Sequence, residues 1–246
     1  MIGIGTIVNV LLILIGGALG LFLKKILSQR LTDTILQGIG LAVVLIGLSG
    51  ALKAAFTVVD GEISANYTLL MILSLALGAL IGEWLDIEKR LENFAAFWAG
   101  KFTKSDSGLF AQGFVTATLV FCVGAMAIVG ALEDGIHRNT DILFAKSMLD
   151  AIAAMVFAST MGVGVLFSAV SVAVYQGAMT LLASLIAPYL QPEVITQMSY
   201  IGSILILAIG LNMLKIAKIK VGNLLLAIFV PLVYYIVKSL FSLAGM

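Results

Sequence analysis

The chain has 246 residues, 61% of them hydrophobic and only 11% charged. A soluble domain carries about 25% charged residues, and a single core of this size could not hide so much apolar surface. The net charge of +1 offers no field to nucleic acid or to acidic partners. Together with a mean hydropathy of +1.16, these values point to an all-α, polytopic integral membrane helical bundle. Its main partner is membrane lipid, and almost nothing stands outside the bilayer.

The hydropathy pattern predicts about eight spans in one transmembrane domain over 1–246, each near the ~20 residues a bilayer requires. They are expected at about 3–23, 34–56, 67–85, 108–132, 141–162, 166–187, 195–214 and 221–241. No basic residue precedes the first apolar run, Lys24-Lys25 follow it, and it is about span length. That argues against a cleaved signal and for an N-terminus outside. Between the third and fourth spans, Ile87, Leu91, Phe94 and Trp98 recur at helical spacing with Glu88, Lys89, Arg90 and Glu92 among them. This pattern predicts an amphipathic helix over about 86–102 on the membrane surface. The division of residues 141–190 into a fifth and a sixth span needs a tight turn at Met161-Gly162-Val163-Gly164, where no charge marks the reversal. Gly162 and Gly164 are therefore read either as an ordinary turn or as a functional helix break.

Loop charge tests this count. With the N-terminus outside, the inner loops hold Lys24, Lys25, Arg30, Lys89, Arg90, Lys101, Lys104, Lys215, Lys218 and Lys220. The outer side holds only Lys53, Arg138 and Lys238. Merging the fifth and sixth spans would erase most of that bias, so the positive-inside rule favours eight spans with both termini outside.

Internal echoes suggest duplication. Gly17-Ala18-Leu19 is echoed by Gly78-Ala79-Leu80, and Gln37-Gly38 by Gln112-Gly113, which would relate the hairpins of spans one–two and three–four. Gly47-Leu48-Ser49 is echoed by Gly210-Leu211-Asn212 in spans of opposite direction, a pairing of the inverted kind found in many secondary transporters. The GxxxG pairs Gly16/Gly20 and Gly78/Gly82 are expected at helix contacts, because small residues let helices approach in lipid. They are also compatible with a homo-oligomer seam.

The sharpest chemical signal is Lys146-Ser147-Met148-Leu149-Asp150 in the fifth span. Lys146 and Asp150 share a helix face at i,i+4, and Asp150 is expected near the bilayer midplane. A charge there costs about 2.5–3.5 kcal/mol on insertion scales, so it faces the bundle interior and marks function by default. The alternative is a self-neutralised structural pair. Asn9, Tyr175, Gln176 and Asn212, with Gln112, Thr116 and Asn223, could join the site or serve as interhelical hydrogen bonds. Glu133, Asp134, His137, Arg138 and Asp141 form either a solvated loop or an outer mouth. Cys122 is alone, so no internal disulfide can form, and it is expected as a small core residue. His137 has no metal-ligand spacing around it. No GxxxxGK[ST], HExxH, CxxC or GxSxG motif occurs, so neither a cofactor, a metal nor an enzymatic activity is expected.

Several stretches resemble the bacterial family named domain of unknown function 554. They are Cys122 to Gly130, Lys146-Ser147-x-x-Asp150 with Phe157-Ala158, and Gly162-x-Gly164-x-x-x-Ser168-Ala169 with Tyr175-Gln176-Gly177. Gly5-Thr6-x-x-Asn9, Gly16-Gly17-x-x-Gly20 and Gly210-x-x-Met213-Leu214 look similar too. The resemblance implies a multi-pass protein of the bacterial inner membrane, in a family often labelled as transporters, and implies no particular substrate. The residues themselves point to a secondary transporter or channel-like carrier for a small polar or charged solute or ion. Its site would be built from Lys146, Asp150 and Gln176 with Ser147, Tyr175, Asn9 and Asn212. The alternative is a scaffold or subunit of a larger membrane complex.

The charge bias makes a testable topology. A reporter active only in the cytoplasm, fused after Lys104, Arg138 or Lys218, should be active, silent and active in turn. Activity after Arg138 with silence after Lys218 would overturn the orientation.

Overall fold

The structure is a computed structural model that describes residues 2–26, 28–59, 62–90, 93, 97, 107–122 and 125–243. The helices are α1 (Ile4–Lys24), α2 (Gln29–Ala55), α3 (Thr68–Leu85), α4 (Ser107–Cys122), α5 (Ala125–Ile136) and α6 (Asp141–Met161). They continue with α7 (Gly164–Leu181), the short α8 (Ala183–Ile186), α9 (Pro192–Met213), the short α10 (Val221–Leu224) and α11 (Val230–Leu243). Among the described residues, seven stretches are long and apolar enough to cross a membrane, and α4 with α5, bent by 58°, would make an eighth. The chain is thus an all-α polytopic membrane protein. Spans are numbered in chain order: α1, α2, α3, α4–α5, α6, α7, α9 and α10–α11.

Helix ends follow local chemistry. Ser28 caps α2, its hydroxyl accepting from the Leu31 N–H at 3.4 Å, so α2 begins several residues before the expected position. The fifth and sixth spans divide at Gly162, whose φ of 85° suits glycine. Its N–H donates to the Ala158 carbonyl at 3.1 Å. This is a tight turn between two continuous helices, not a re-entrant break. The bend lies elsewhere, between α4 and α5, whereas span eight runs on through a 3₁₀ stretch, Leu225–Phe229, that joins α10 to α11. A two-stranded antiparallel hairpin, β1 (Phe56–Val59) and β2 (Glu62–Ala65), joins α2 to α3. Its β-branched Thr57, Val58, Val59 and Ile63 suit a strand, although short strands flanking long helices are easily read as loop. Of the expected surface helix over 86–102, residues 87–90 are helical and most of the remainder lies outside the described residues.

Packing is set by glycine. A Cβ at Gly16 would overlap the Ala151 carbonyl oxygen, and one at Gly20 the Met155 carbonyl oxygen. Both glycines therefore seat α1 directly on the α6 backbone, a favourable contact in lipid, where packing rather than hydrophobicity drives association. Gly78 meets Ala227 and Gly82 meets the Asn223 carbonyl, which seats span three on span eight. Gly47 meets Leu207 and Gly210 meets Val44, which joins α2 to α9. Gly164 meets the Phe110 carbonyl, which joins α7 to α4.

These contacts also orient the helices. Gly5 lies against Leu143 and Gly20 against Met155, so α1 and α6 run parallel. Gly17 lies against Leu166 and Thr6 against Thr180, so α1 and α7 are antiparallel. Spans two and seven, and spans three and eight, are likewise antiparallel. Every one of these directions fits eight alternating crossings. Exposed leucines and isoleucines such as Leu11, Ile15, Leu45, Leu80 and Ile152 give the bundle its lipid-facing surface.

Gly16→Leu or Gly20→Leu should lower the melting temperature in detergent far more than Leu11→Ile on the exposed face of the same helix. Overpacking a tight contact costs about 1–3 kcal/mol or more, while the lipid-facing swap should be near neutral. Equal shifts would show that the seam does not form.

Candidate functional site

The site grows from the middle of α6. Asp150 lies nine residues after Asp141 in a 21-residue helix, roughly 14 Å along it at 1.5 Å per residue. Lys146 and Asp150 are each only 6% exposed and form a buried ion pair in which the Lys146 ammonium donates to Asp150 Oδ2. Both charges face the interior, as the cost of a charge in hydrocarbon demands. Next to them, Ser147 donates to the Leu143 carbonyl at 2.6 Å, so its hydroxyl is spent on its own helix.

The neighbouring helices add a polar chain. Asn9 of α1 is completely buried. Its Nδ2 donates to Gln176 Oε1 on α7 at 3.0 Å. Gln176 Nε2 donates in turn to Thr6 Oγ1 at 3.1 Å, and Thr6 and Thr180 share a 3.3 Å hydroxyl contact. Two helices, α1 and α7, are thus stitched by one network, with Asn9 Oδ1 left as a buried acceptor that no described residue satisfies. Buried polar atoms are nearly always paired, so this oxygen has room for a donor. The Cys122 thiol is buried at the end of α4. Beyond it lies a cavity of about 170 Å³ lined by Cys122, Thr118, Ser171, Tyr175, Met198 and Ser199 among others.

Not every residue singled out in the sequence joins this network. Asn212 sits at the Lys-rich end and closes the loop after α9, where its Nδ2 donates to the Ile219 carbonyl at 2.7 Å and its Oδ1 accepts the Ile219 N–H at 2.9 Å. Tyr175 lines the small cavity beside Cys122. Asn223, at the start of span eight, accepts the Glu88 N–H at 2.7 Å and donates to Glu83. Glu83 also accepts from Lys220 at 2.7 Å, and this bond holds the Lys220 ammonium above the usual lysine range. Together with Gln112, Thr116 and Lys218, the residues of this end line an open vestibule of about 920 Å³.

Two features escaped the sequence. Thr6 and Thr180 belong to the network, and the only available signal was that Thr6 lies three residues from Asn9 and Thr180 four from Gln176, on shared helix faces. Asp134 is fully buried rather than part of a solvated outer cluster. Its carboxylate accepts the backbone N–H groups of Gly3 and Gly5, each at 3.2 Å. It thereby caps the N-terminus of α1, where the free amides and the helix dipole favour an anion. Of the outer charges, Glu133 and His137 form an exposed i,i+4 pair at 3.1 Å.

Comparison with known proteins places the chain in a family. A family profile described as "Protein of unknown function (DUF554)" matches residues 4–236. The chain belongs to that family. It is 33% identical over 239 residues to "Uncharacterized membrane protein YdfK" of Bacillus subtilis (strain 168), covering 97% of this chain and 98% of the relative. It is 31% identical over 233 residues to "Uncharacterized protein YqgA" of Escherichia coli (strain K12), covering 93% and 94%. No solved structure matches the chain. Family membership therefore supports a membrane protein spanning the whole chain, and the site chemistry must be argued from these residues.

Asp134→Ala should cost about 1–2 kcal/mol, the ordinary cost of losing a helix cap, and Asp134→Asn less, since one carboxamide oxygen can still accept. Thermal unfolding in detergent checks both. Unchanged melting of Asp134→Ala would remove the cap.

Proposed function

We propose that this protein is a small secondary carrier for a small polar or charged solute, with its binding site at Lys146 and Asp150 and the network of Asn9, Gln176, Thr6 and Thr180. One observation carries the reading. A buried ion pair in the middle of α6 sits on the helix packed directly along α1, whose buried Asn9 bonds across to Gln176 of α7, and one buried acceptor, Asn9 Oδ1, remains free. A structural pair needs no such extension, since interhelical hydrogen bonds in membranes average only about 0.6 kcal/mol. An amine and a carboxylate at midplane suit a solute with complementary polar groups, and Asp150 could take up a coupled proton. The bent fourth span also suits a carrier, because broken helices at membrane depth are tolerated where they line a cavity. The role is binding rather than catalysis. The Lys/Arg distribution supports both termini outside, and the bacterial relatives support a location in the bacterial inner membrane.

The test separates a site from a structural pair. Lys146→Met and Asp150→Asn should each destabilise by about 3–5 kcal/mol, because each leaves a buried partner uncompensated, while the double variant should recover much of that loss. Under the carrier reading, the recovered double variant no longer binds or transports any solute that stabilises the wild type in a thermal-shift screen. A double variant that keeps binding would make the pair structural.

A further inference from the structure

Helix contacts in this bundle come in matched sets. Spans one and six, two and seven, and three and eight each pack antiparallel, through Asn9–Gln176, Gly47–Leu207 and Gly82–Asn223. Spans one and five pack parallel through Gly16–Ala151, and spans six and four through Gly164–Phe110 and Ser171–Thr118. An approximate two-fold axis lying in the membrane plane reproduces the whole set. It exchanges spans one to three with six to eight, and span four with span five.

Two local details obey the same exchange. Gly47 meets the residue three before Gly210, namely Leu207, and Gly210 meets the residue three before Gly47, namely Val44. The echoed motifs Gly47-Leu48-Ser49 and Gly210-Leu211-Asn212 therefore contact each other's helices reciprocally. In spans four and five, Leu109-Phe110-Ala111 echoes Leu143-Phe144-Ala145, and Ala117 then corresponds to Ala151. That alignment sets Gln112 opposite Lys146, Val115 opposite Leu149 and Thr116 opposite Asp150.

The two halves differ in access. Gln112, Val115 and Thr116 line the open vestibule at the Lys-rich end. Their counterparts Lys146 and Asp150 are closed against α1, and Leu149 is 59% exposed on the outside of the bundle. We infer that the chain is an inverted-topology repeat caught in one of two related states. The vestibule beside the partly exposed Gln112 and Val115 is the access path from the Lys-rich face. In the other state the halves exchange roles, so that Lys146, Leu149 and Asp150 line a vestibule on the opposite face while this one closes. Inverted repeats meeting at the midplane are the usual basis of alternating access. The two states need differ only in which half is packed, since the sequence supplies both. This inference rests on the carrier reading and names the path to its site.

The test uses the full chain in right-side-out and inside-out vesicles, in a Cys122→Ala background, with a membrane-impermeant maleimide as probe. Val115→Cys should label only from the Lys-rich face. Leu149→Cys should label only from the opposite face, because a thiol held in lipid does not meet the reagent. In the double cysteine variant, a bulky maleimide placed first on position 115 should prop the vestibule open and slow labelling at 149 by about tenfold or more, as expected for exclusive states. Leu149→Cys that never labels, labels from the Lys-rich face, or labels at an unchanged rate after position 115 is blocked would overturn the exchange. Val115 and Leu149 lie outside the hydrogen-bonded network, so both variants should fold. The labelling needs no solute, so its failure is separate from failure of the carrier reading, which solute binding to the Lys146/Asp150 variants decides.

Discussion

The close approach of α1 to α6 governs the rest of this bundle. Gly16 and Gly20 present no side chain to the α6 backbone, and the two helices lie in parallel contact along their length. That separation holds Asn9 in the interior, where its Nδ2 donates to Gln176. A Leu at either glycine would push α1 outward and open the interior to lipid.

Both ends of this helix pair are closed by charges, one from α5 and one from the last residue of α1 itself. Asp134 of α5 caps the amide end of α1. The Lys24 ammonium reaches the Thr160 carbonyl at 3.1 Å, at the carbonyl end of α6, where a cation suits the helix dipole. Charges that read as loop residues thus satisfy backbone groups that lipid could not. In hydrocarbon each unsatisfied amide or carbonyl costs several kcal/mol, so such caps are part of the span rather than decoration at its edge.

Much of the fold was legible because lipid imposes a simple rule on sequence. Span lengths, their number and the turn at Gly162 follow from apolar run length and loop charge. The Lys146–Asp150 pair was legible because two opposite charges one turn apart in an apolar helix meet each other before anything else. The extent of the network was not. Thr6 and Thr180 lie more than 170 positions apart in sequence, and nothing local distinguishes either from a threonine that bonds its own helix. Asn212 illustrates the reverse error. A buried-looking asparagine late in a span suggested a ligand, but its amide matches the Ile219 backbone so well that both its groups are consumed by the loop.

By itself the sequence determined the class, the run of apolar spans and an ionisable pair in the middle of an apolar helix, because each is a matter of local hydrophobicity and charge. Only the tertiary structure decided which helices adjoin that pair, that Asp134 is a buried cap, and that the fourth span is the bent one. These outcomes depend on which glycine faces which backbone. In a chain where 25 glycines could each support a close contact, three-dimensional packing alone selects the seams that form.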